Sequence, residues 1–395
     1  MRKAAGFFVF ETESTRWLIM SEPLSAIPAG MRYYTGSEAR LRRAVKNSVV
    51  AIFEGWSYEE ITTPTIDYYS LFERGMGRSM AHHTFRFSDT DGRMLVVRPD
   101  VTSLVARAAA TLFTERKRPL RLCYVAPVFR QRPQFHAEWR RESTQIGCEL
   151  IGANSSAADM EVLAIACEVL EGFELAPYCS ITLNDVEVFN GIAEQLQLPP
   201  EARNEMRDLA DTRNTADLQR FLAGYSSTEE SQAFAQLIQL SGKREVLSDA
   251  RRLITNSRSQ SALDRLERLW SVIESLNLTG RFEIDLGDVS QLDYYTGLTF
   301  KIYVSGAGTR VGSGGRYDGF TASFGRPEPA VGFVLELDAL TEVLLARAYE
   351  SSLMQSSVES MPLTGPDLSD LFMSAREKRA LGKRIMINPS EVSVD

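Results

Sequence analysis

The feature that most restricts the fold is a pair of alternating runs, Leu122 to Phe129 and Ser143 to Ile151, joined by a polar, arginine-rich loop. In a strand every second side chain points to the same face. The second run therefore sets Gln145, Gly147, Glu149 and Ile151 on one face and Ile146, Cys148 and Leu150 on the other. The apolar face calls for a core. The other face offers an amide and a carboxylate, with a glycine between them that leaves room. On periodicity alone, Gln145 and Glu149 are most simply solvated residues of an antiparallel sheet. The loop shifts that balance, because Arg130, Arg132, Arg140 and Arg141 are brought to the same hairpin. Acid, amide and fixed cations together suit a small zwitterion or a phosphate.

A chain of 395 residues, 44% hydrophobic, has room for two or three domains and a large core. A formal net charge of -8 argues against the bulk coating of nucleic acid, which takes a basic protein. The four cysteines, Cys123, Cys148, Cys167 and Cys179, lack metal-type spacing. Three of them lie in apolar patterns, as reduced thiols of a cytoplasmic protein do. With three histidines and no CxxC pair, neither a metal site nor a cofactor is expected. The opening MRKAAGFFVF resembles a signal peptide only superficially: the apolar run is short, and Glu11 and Glu13 follow at once. Residues 1–20 are read as a tail. No segment approaches the ~20 apolar residues of a membrane span.

Taken in order, Leu41, Val45, Val49 and Ile52 stripe a helix that begins after Ser37. Residues 84–98 read as a hairpin around Asp91-Gly92. A helix then begins near Thr102, the expected N-cap. Helix over 157–173 and strand over 180–186 follow the central hairpin. From 188 to 280 strand signals give way to charged amphipathic helices, an inserted block. Strand texture returns over 281–286 and 298–304, then a glycine-rich run reads as a turn, then a buried strand begins at Ala330 and a helix at Asp338. Residues 350–395 show no sustained core pattern and are expected to be a loosely attached tail. Strands, helices and an inserted helical block together make an α+β domain over 21–187 and 281–349.

Five motifs, in order, resemble the class II aminoacyl-tRNA synthetase core of the histidyl type. Pro64 lies in TTPTIDYYSLFERGMG, which resembles the motif 1 dimer segment. Arg98-Pro99-Asp100-Val101-Thr102 resembles that family's RPEGT turn. The central stretch resembles motif 2, with Arg130 in the place of its phosphate-binding arginine. Leu292-Asp293-Tyr294-Tyr295 and Gly314-Gly315-Arg316-Tyr317-Asp318-Gly319 resemble the two histidine-specific motifs. The resemblance covers about residues 28–345. It implies a six- or seven-stranded antiparallel sheet flanked by helices, with a histidine pocket on its floor. It would place Asp100, Thr102 and Gln145 at the amino-acid head and Glu149 and Tyr295 at the imidazole, with Tyr294 and Tyr317 lining the site.

Three departures argue against aminoacylation. Ser290 stands where the histidyl enzymes carry an arginine for the substrate carboxylate, and Ala339 where motif 3 ends in an arginine for ATP. Adenylate formation moves charge onto phosphate, and fixed cations do much of the stabilising. Third, the family's anticodon-binding domain is not expected in residues 350–395, so no tRNA partner is expected. A histidine pocket without its chemistry resembles the regulatory subunits of ATP phosphoribosyltransferase. That resemblance implies a non-catalytic homodimer that senses L-histidine and activates a short catalytic subunit. A degenerate histidyl-tRNA synthetase and a free-standing histidine sensor of another complex are the alternatives.

Overall fold

The computed structural model describes residues 26–76, 81–131, 140–289, 294–347, 358–362 and 368–388. Its strands are β1 (Glu59–Glu60), β2 (Ile66–Tyr68), β3 (Arg86–Ser88), β4 (Met94–Val97), β5 (Leu120–Phe129), β6 (Glu142–Ile151) and β7 (Cys179–Asp185). They continue with β8 (Ser241–Gly242), β9 (Phe282–Asp285), β10 (Leu298–Val304), β11 (Gly312–Arg316), β12 (Ala330–Glu336), β13 (Val358–Pro362) and β14 (Arg384–Asn388).

One nine-stranded sheet dominates, in the order β1-β5-β6-β12-β11-β10-β7-β9-β8. The expected antiparallel core is there as the six strands from β5 to β7. The sheet is larger than expected and mixed, because β1 and β9 add to its two sides in parallel. The edge strands, β1 and β8, have two residues each, and short edges offer little template for wrong pairing.

The two faces of β6 divide as its alternation requires. Ile146, Cys148 and Leu150 join a core built with Leu41, Val45, Val49 and Phe53 of helix Gly36–Gly55 and with Val162, Leu163 and Ala166 of helix Ser156–Gly172. The helices between β7 and β9, from Val186–Gln195 to Ser257–Ser275, drive Leu218, Leu222, Phe234, Leu263 and Trp270 into that same core. The inserted block is thus packed as part of the molecule, and a two-residue strand, β8, lies within it. Ile151 instead packs on the opposite face with Leu122, Tyr124 and Tyr317, under Val101 and under Val105 and Ala109 of helix Thr102–Thr111.

The glycine-rich run corrects the reading of a turn, for Gly312–Arg316 is a central strand. A β-carbon at Gly314 would come within 2.5 Å of Phe333 Cβ and Gly332 O, and one at Gly312 within 2.8 Å of Val334 O. Glycine here lets neighbouring strands approach. The hairpin of 84–98 forms as expected, with Gly92 at φ +83° closing the turn between β3 and β4. The C-terminal segment also corrects the reading of a patternless tail. Its described part is a parallel pair, β13 and β14, joined through helix Leu368–Ala380. Met361 and Ala375 are the buried residues of that small unit, too few to leave a periodic signature. No helix among the described residues is long and apolar enough to cross a membrane.

Candidate functional site

The strand registers lay out a floor on the helix Thr102–Thr111 side of the sheet. Glu149 pairs with Gly332, and Gly332 with Gly315. One step along, Gly147 pairs with Tyr124 and with Val334, which faces Ser313. A further step along, Gln145 pairs with Glu336. Glycines at 147, 315 and 332 lower the floor where they stand, Tyr124 lies over Gly147, and polar side chains stand at the two ends.

Glu149 is the centre of the first row, 2% exposed. Three hydroxyls converge on it: Thr102 donates to Oε1 at 2.8 Å, Tyr124 to Oε1 at 3.3 Å and Tyr317 to Oε2 at 2.6 Å. Burial pushes its carboxyl up to about 7, against the pull of those three donors and with the push of nearby Asp100. The carboxylate has room only because its neighbour is glycine: a β-carbon at Gly332 would lie 1.8 Å from Oε2. Gly147 plays the same part for Tyr124, whose hydroxyl would stand 2.5 Å from an added β-carbon.

An aromatic wall closes this end. Tyr294 stacks on Phe320 with ring centroids 5.0 Å apart and meets Tyr317 edge-on at 5.8 Å. Tyr295 lies against Tyr294 at 4.7 Å, and its ring rests on Gly315. Burial raises the phenols of Tyr124, Tyr294 and Tyr317 well above their usual range and Tyr295 to about 12, so all four remain hydrogen-bond donors at neutral pH.

The residues expected at the amino-acid head are only partly brought together. Thr102 is the first residue of its helix rather than its cap, because its hydroxyl turns to Glu149. Asp100 does the capping, accepting from Ser103 N at 3.3 Å and from Ser103 Oγ at 3.2 Å. Its carboxyl is raised by burial, and Arg130 works in the other direction. Gln145 lies two rows from Glu149 and donates to Glu336 Oε1 at 3.1 Å.

The three arginines of the loop that are described, Arg130, Arg140 and Arg141, have separate partners. Arg130 donates to Pro99 O at 3.1 Å, beside Asp100. Arg140 pairs with Glu342, and Arg141 donates to Gln131 O at 3.0 Å. Arg132 and Ser290 lie outside the described residues. Ala339 is buried in the apolar core below the sheet, while adjacent Asp338 accepts from Tyr34, from Arg42 at 2.8 Å and from Thr144 N at 2.8 Å. Tyr124, Phe320, Gly332 and Glu336 were not singled out by sequence. Tyr124 could have been, since it alternates with Leu122 toward the face that holds Glu149. No group of three or more metal-ligating side chains occurs among the described residues.

The arrangement binds rather than reacts: a buried acid, donor hydroxyls and stacked rings suit a small aromatic cation or a ring bearing N–H groups. The chain resembles known proteins over most of its length. The family profile described as histidyl-tRNA synthetase matches residues 30–340. A protein of Moorella thermoacetica named ATP phosphoribosyltransferase regulatory subunit is 36% identical over 364 residues, 92% of each chain. One of that name from Syntrophotalea carbinolica is 33% identical and covers 91% of this chain and 84% of its own. Among solved structures, an ATP phosphoribosyltransferase regulatory subunit/histidyl-tRNA synthetase from Bacillus halodurans superposes with a TM-score of 0.81, at 26% identity and 95% coverage of both chains. A histidyl-tRNA synthetase from Nostoc shares the fold with a TM-score of 0.76 at 19% identity, over 94% of this chain and 88% of its own.

Proposed function

Since the chain belongs to the ATP phosphoribosyltransferase regulatory subunits, a family built on the histidyl-tRNA synthetase fold, we propose that it performs no chemistry and regulates a catalytic partner in histidine biosynthesis. The partner is a short ATP phosphoribosyltransferase catalytic subunit, and the effector is L-histidine. The observation that carries this reading is the Glu149 pocket, a ring-binding site complete in itself beside a motif 3 whose arginine position, Ala339, is packed in the core. The imidazole goes to Glu149 and Tyr295, with Tyr294 and Tyr317 lining the site. Asp100, Thr102 and Gln145 serve the amino-acid head, and Arg130 is the nearest cation for an anion.

The chain also pairs with itself through the sheet that follows Pro64. Register places Ile66, Tyr68, Phe87, Leu95 and Val97 on one face of the β2-β4-β3 sheet, and Ile66 and Phe87 are 48% and 41% exposed. Such an apolar face fits a second copy of itself.

A regulator acts by binding one state of an assembly more tightly than another, a coupling of typically 1–3 kcal/mol. The test is a turnover assay of the short catalytic subunit with ATP and phosphoribosyl pyrophosphate, with and without this chain, titrated with histidine. The two proteins should co-elute. This chain should raise turnover or make it histidine-sensitive. A catalytic subunit that neither associates nor changes its rate would sink the proposal, and histidine binding without association would leave a sensor for another complex.

A further inference from the structure

A cavity of about 400 Å³ lies on the other face of the sheet from Glu149, where the inserted helices meet the core. Small-molecule sites have volumes of roughly 300–1,000 Å³ and favour such joints. Helix Ser257–Ser275 lines it with Arg268 and Leu269, and the start of helix Ser156–Gly172 with Asp159. Arg316 closes β11 there, paired with Val331, a residue of the core below the sheet. The next residue, Tyr317, holds Glu149 on the opposite face. The two sites stand back to back.

The carboxylates of the cavity already have cations. Arg265 grips Asp185 with bonds of 2.8 and 3.0 Å, and Arg258 pairs with Glu187. Asp159 and Asp318 share Arg316, at 2.6 and 3.0 Å. Each gives the guanidinium its Oδ1, which leaves Oδ2 to accept from something else. Among the lining arginines, Arg268 differs: it has no carboxylate or hydrogen-bond partner among the described residues. Leu266, Leu269 and Leu298 supply the apolar part of the lining. The helix start at Ser156 is served by Ser155 as its cap and by Asp159 in its first turn, so an anion is drawn to Arg268 instead.

We infer that this cavity binds a phosphorylated ribose, free or within a nucleoside monophosphate. The phosphate accepts from Arg268, the hydroxyls donate to Asp159 and Asp318, and the C–H face of the sugar rests on the leucines. Hydroxyls suit the two acids better than an ammonium, because they donate without setting a second cation beside Arg316. Binding here needs nothing from the histidine pocket and goes beyond regulation by histidine.

The experiment is calorimetry on the full chain at low ionic strength. Its probes are ribose 5-phosphate, 2-deoxyribose 5-phosphate, adenosine 5′-monophosphate and inorganic phosphate. Ribose 5-phosphate should bind about tenfold more tightly than the deoxy sugar, which has lost a donor, and than inorganic phosphate, which has no sugar. Arg268→Gln should weaken ribose 5-phosphate about tenfold or more and leave the melting point of the free protein unchanged, since the arginine has no partner to lose. Tighter binding of the nucleotide than of the sugar phosphate makes the nucleotide the ligand, and the reverse makes it the free sugar; either supports the site. Absence of binding by both riboses overturns the inference. Equal affinity for inorganic phosphate does so too, for it shows an anion held by an arginine and nothing more. Binding that survives Arg268→Gln but is lost in Arg130→Ala places the phosphate at the arginine of the central hairpin and overturns it as well.

Discussion

Tyr317 donates its phenol to Glu149 at 2.6 Å, across 168 residues of sequence. The pair joins β6 to the turn after β11, and neither partner is exposed by more than 2%. A hydrogen bond to a charged acceptor in such a place is short and strong. It also holds the carboxylate oriented before any ligand arrives.

Glu149→Ala should therefore weaken histidine binding by ~1.5–3 kcal/mol, the worth of a charge-assisted hydrogen bond. Calorimetry reads this directly. Assembly with the catalytic partner should persist, because a pocket floor is no interface. An unchanged affinity would place the ligand elsewhere.

Affinity should pass through a maximum near neutral pH. Burial holds the Glu149 carboxyl at about 7, and a free imidazole titrates near ~6.5. The complex keeps one proton between them. Below that window both partners carry a proton and one must leave; above it neither does and one must be taken up. Titration from acid to alkaline pH should show weakening on both sides, and a flat profile would separate Glu149 from the ring.

Stability carries the same signature without ligand. The folded Glu149 ionises at about 7, the unfolded one near 4.5. Between those values the unfolded state binds fewer protons, so stability falls as pH rises, then levels off. The loss is on the order of 3 kcal/mol at pH 8. Glu149→Gln should lack it, and denaturant melts of both proteins at pH 4 and pH 8 measure the difference.

Gly332→Ala should close the pocket with one methyl group. The added carbon would stand 1.8 Å from Glu149 Oε2, with strand backbone on its other side. Overpacking of this kind typically destabilises by ~1–3 kcal/mol. Histidine binding should be lost while the variant remains folded by circular dichroism.

Histidine-dependent ATP–pyrophosphate exchange should be absent, and adding arginines should not restore it. Ala339→Arg would drive a guanidinium into the apolar core rather than toward a nucleotide. Ser290→Arg alone leaves the nucleotide without that cation. Robust exchange by the wild-type chain would make it a synthetase.

The fold was legible where a pattern is local. The alternation of Ser143 to Ile151 named both faces of β6, and Leu298 to Val304 marks the bounds of β10. Of the site, Glu149, Tyr317 and Thr102 do meet. What stayed hidden depends on neighbours distant in sequence. Nothing local distinguishes a strand glycine at 314 from a turn, because Phe333 decides it. The hydroxyl of Thr102 looks like a cap until Glu149 is beside it. Arginine-rich loops invite convergence, yet Arg140 is drawn away by Glu342, a residue two hundred positions on.

The order of the strands sets a timetable for synthesis. β6 waits for β12, with Gln145 and Glu336 separated by 191 positions. At ~5–20 residues per second this leaves the β5-β6 hairpin with a bare edge for roughly 10–40 s on the ribosome. That edge is ten residues long and its second half is apolar but for Glu149, the kind of template on which nascent chains pair wrongly. The helical block is made during the wait and cannot cover it, since its place is beneath the sheet rather than beside the strand. Low yield in rapid expression, relieved by slower translation or by a chaperone that shields hairpin edges, would be the outward sign of a floor assembled from both ends of the gene.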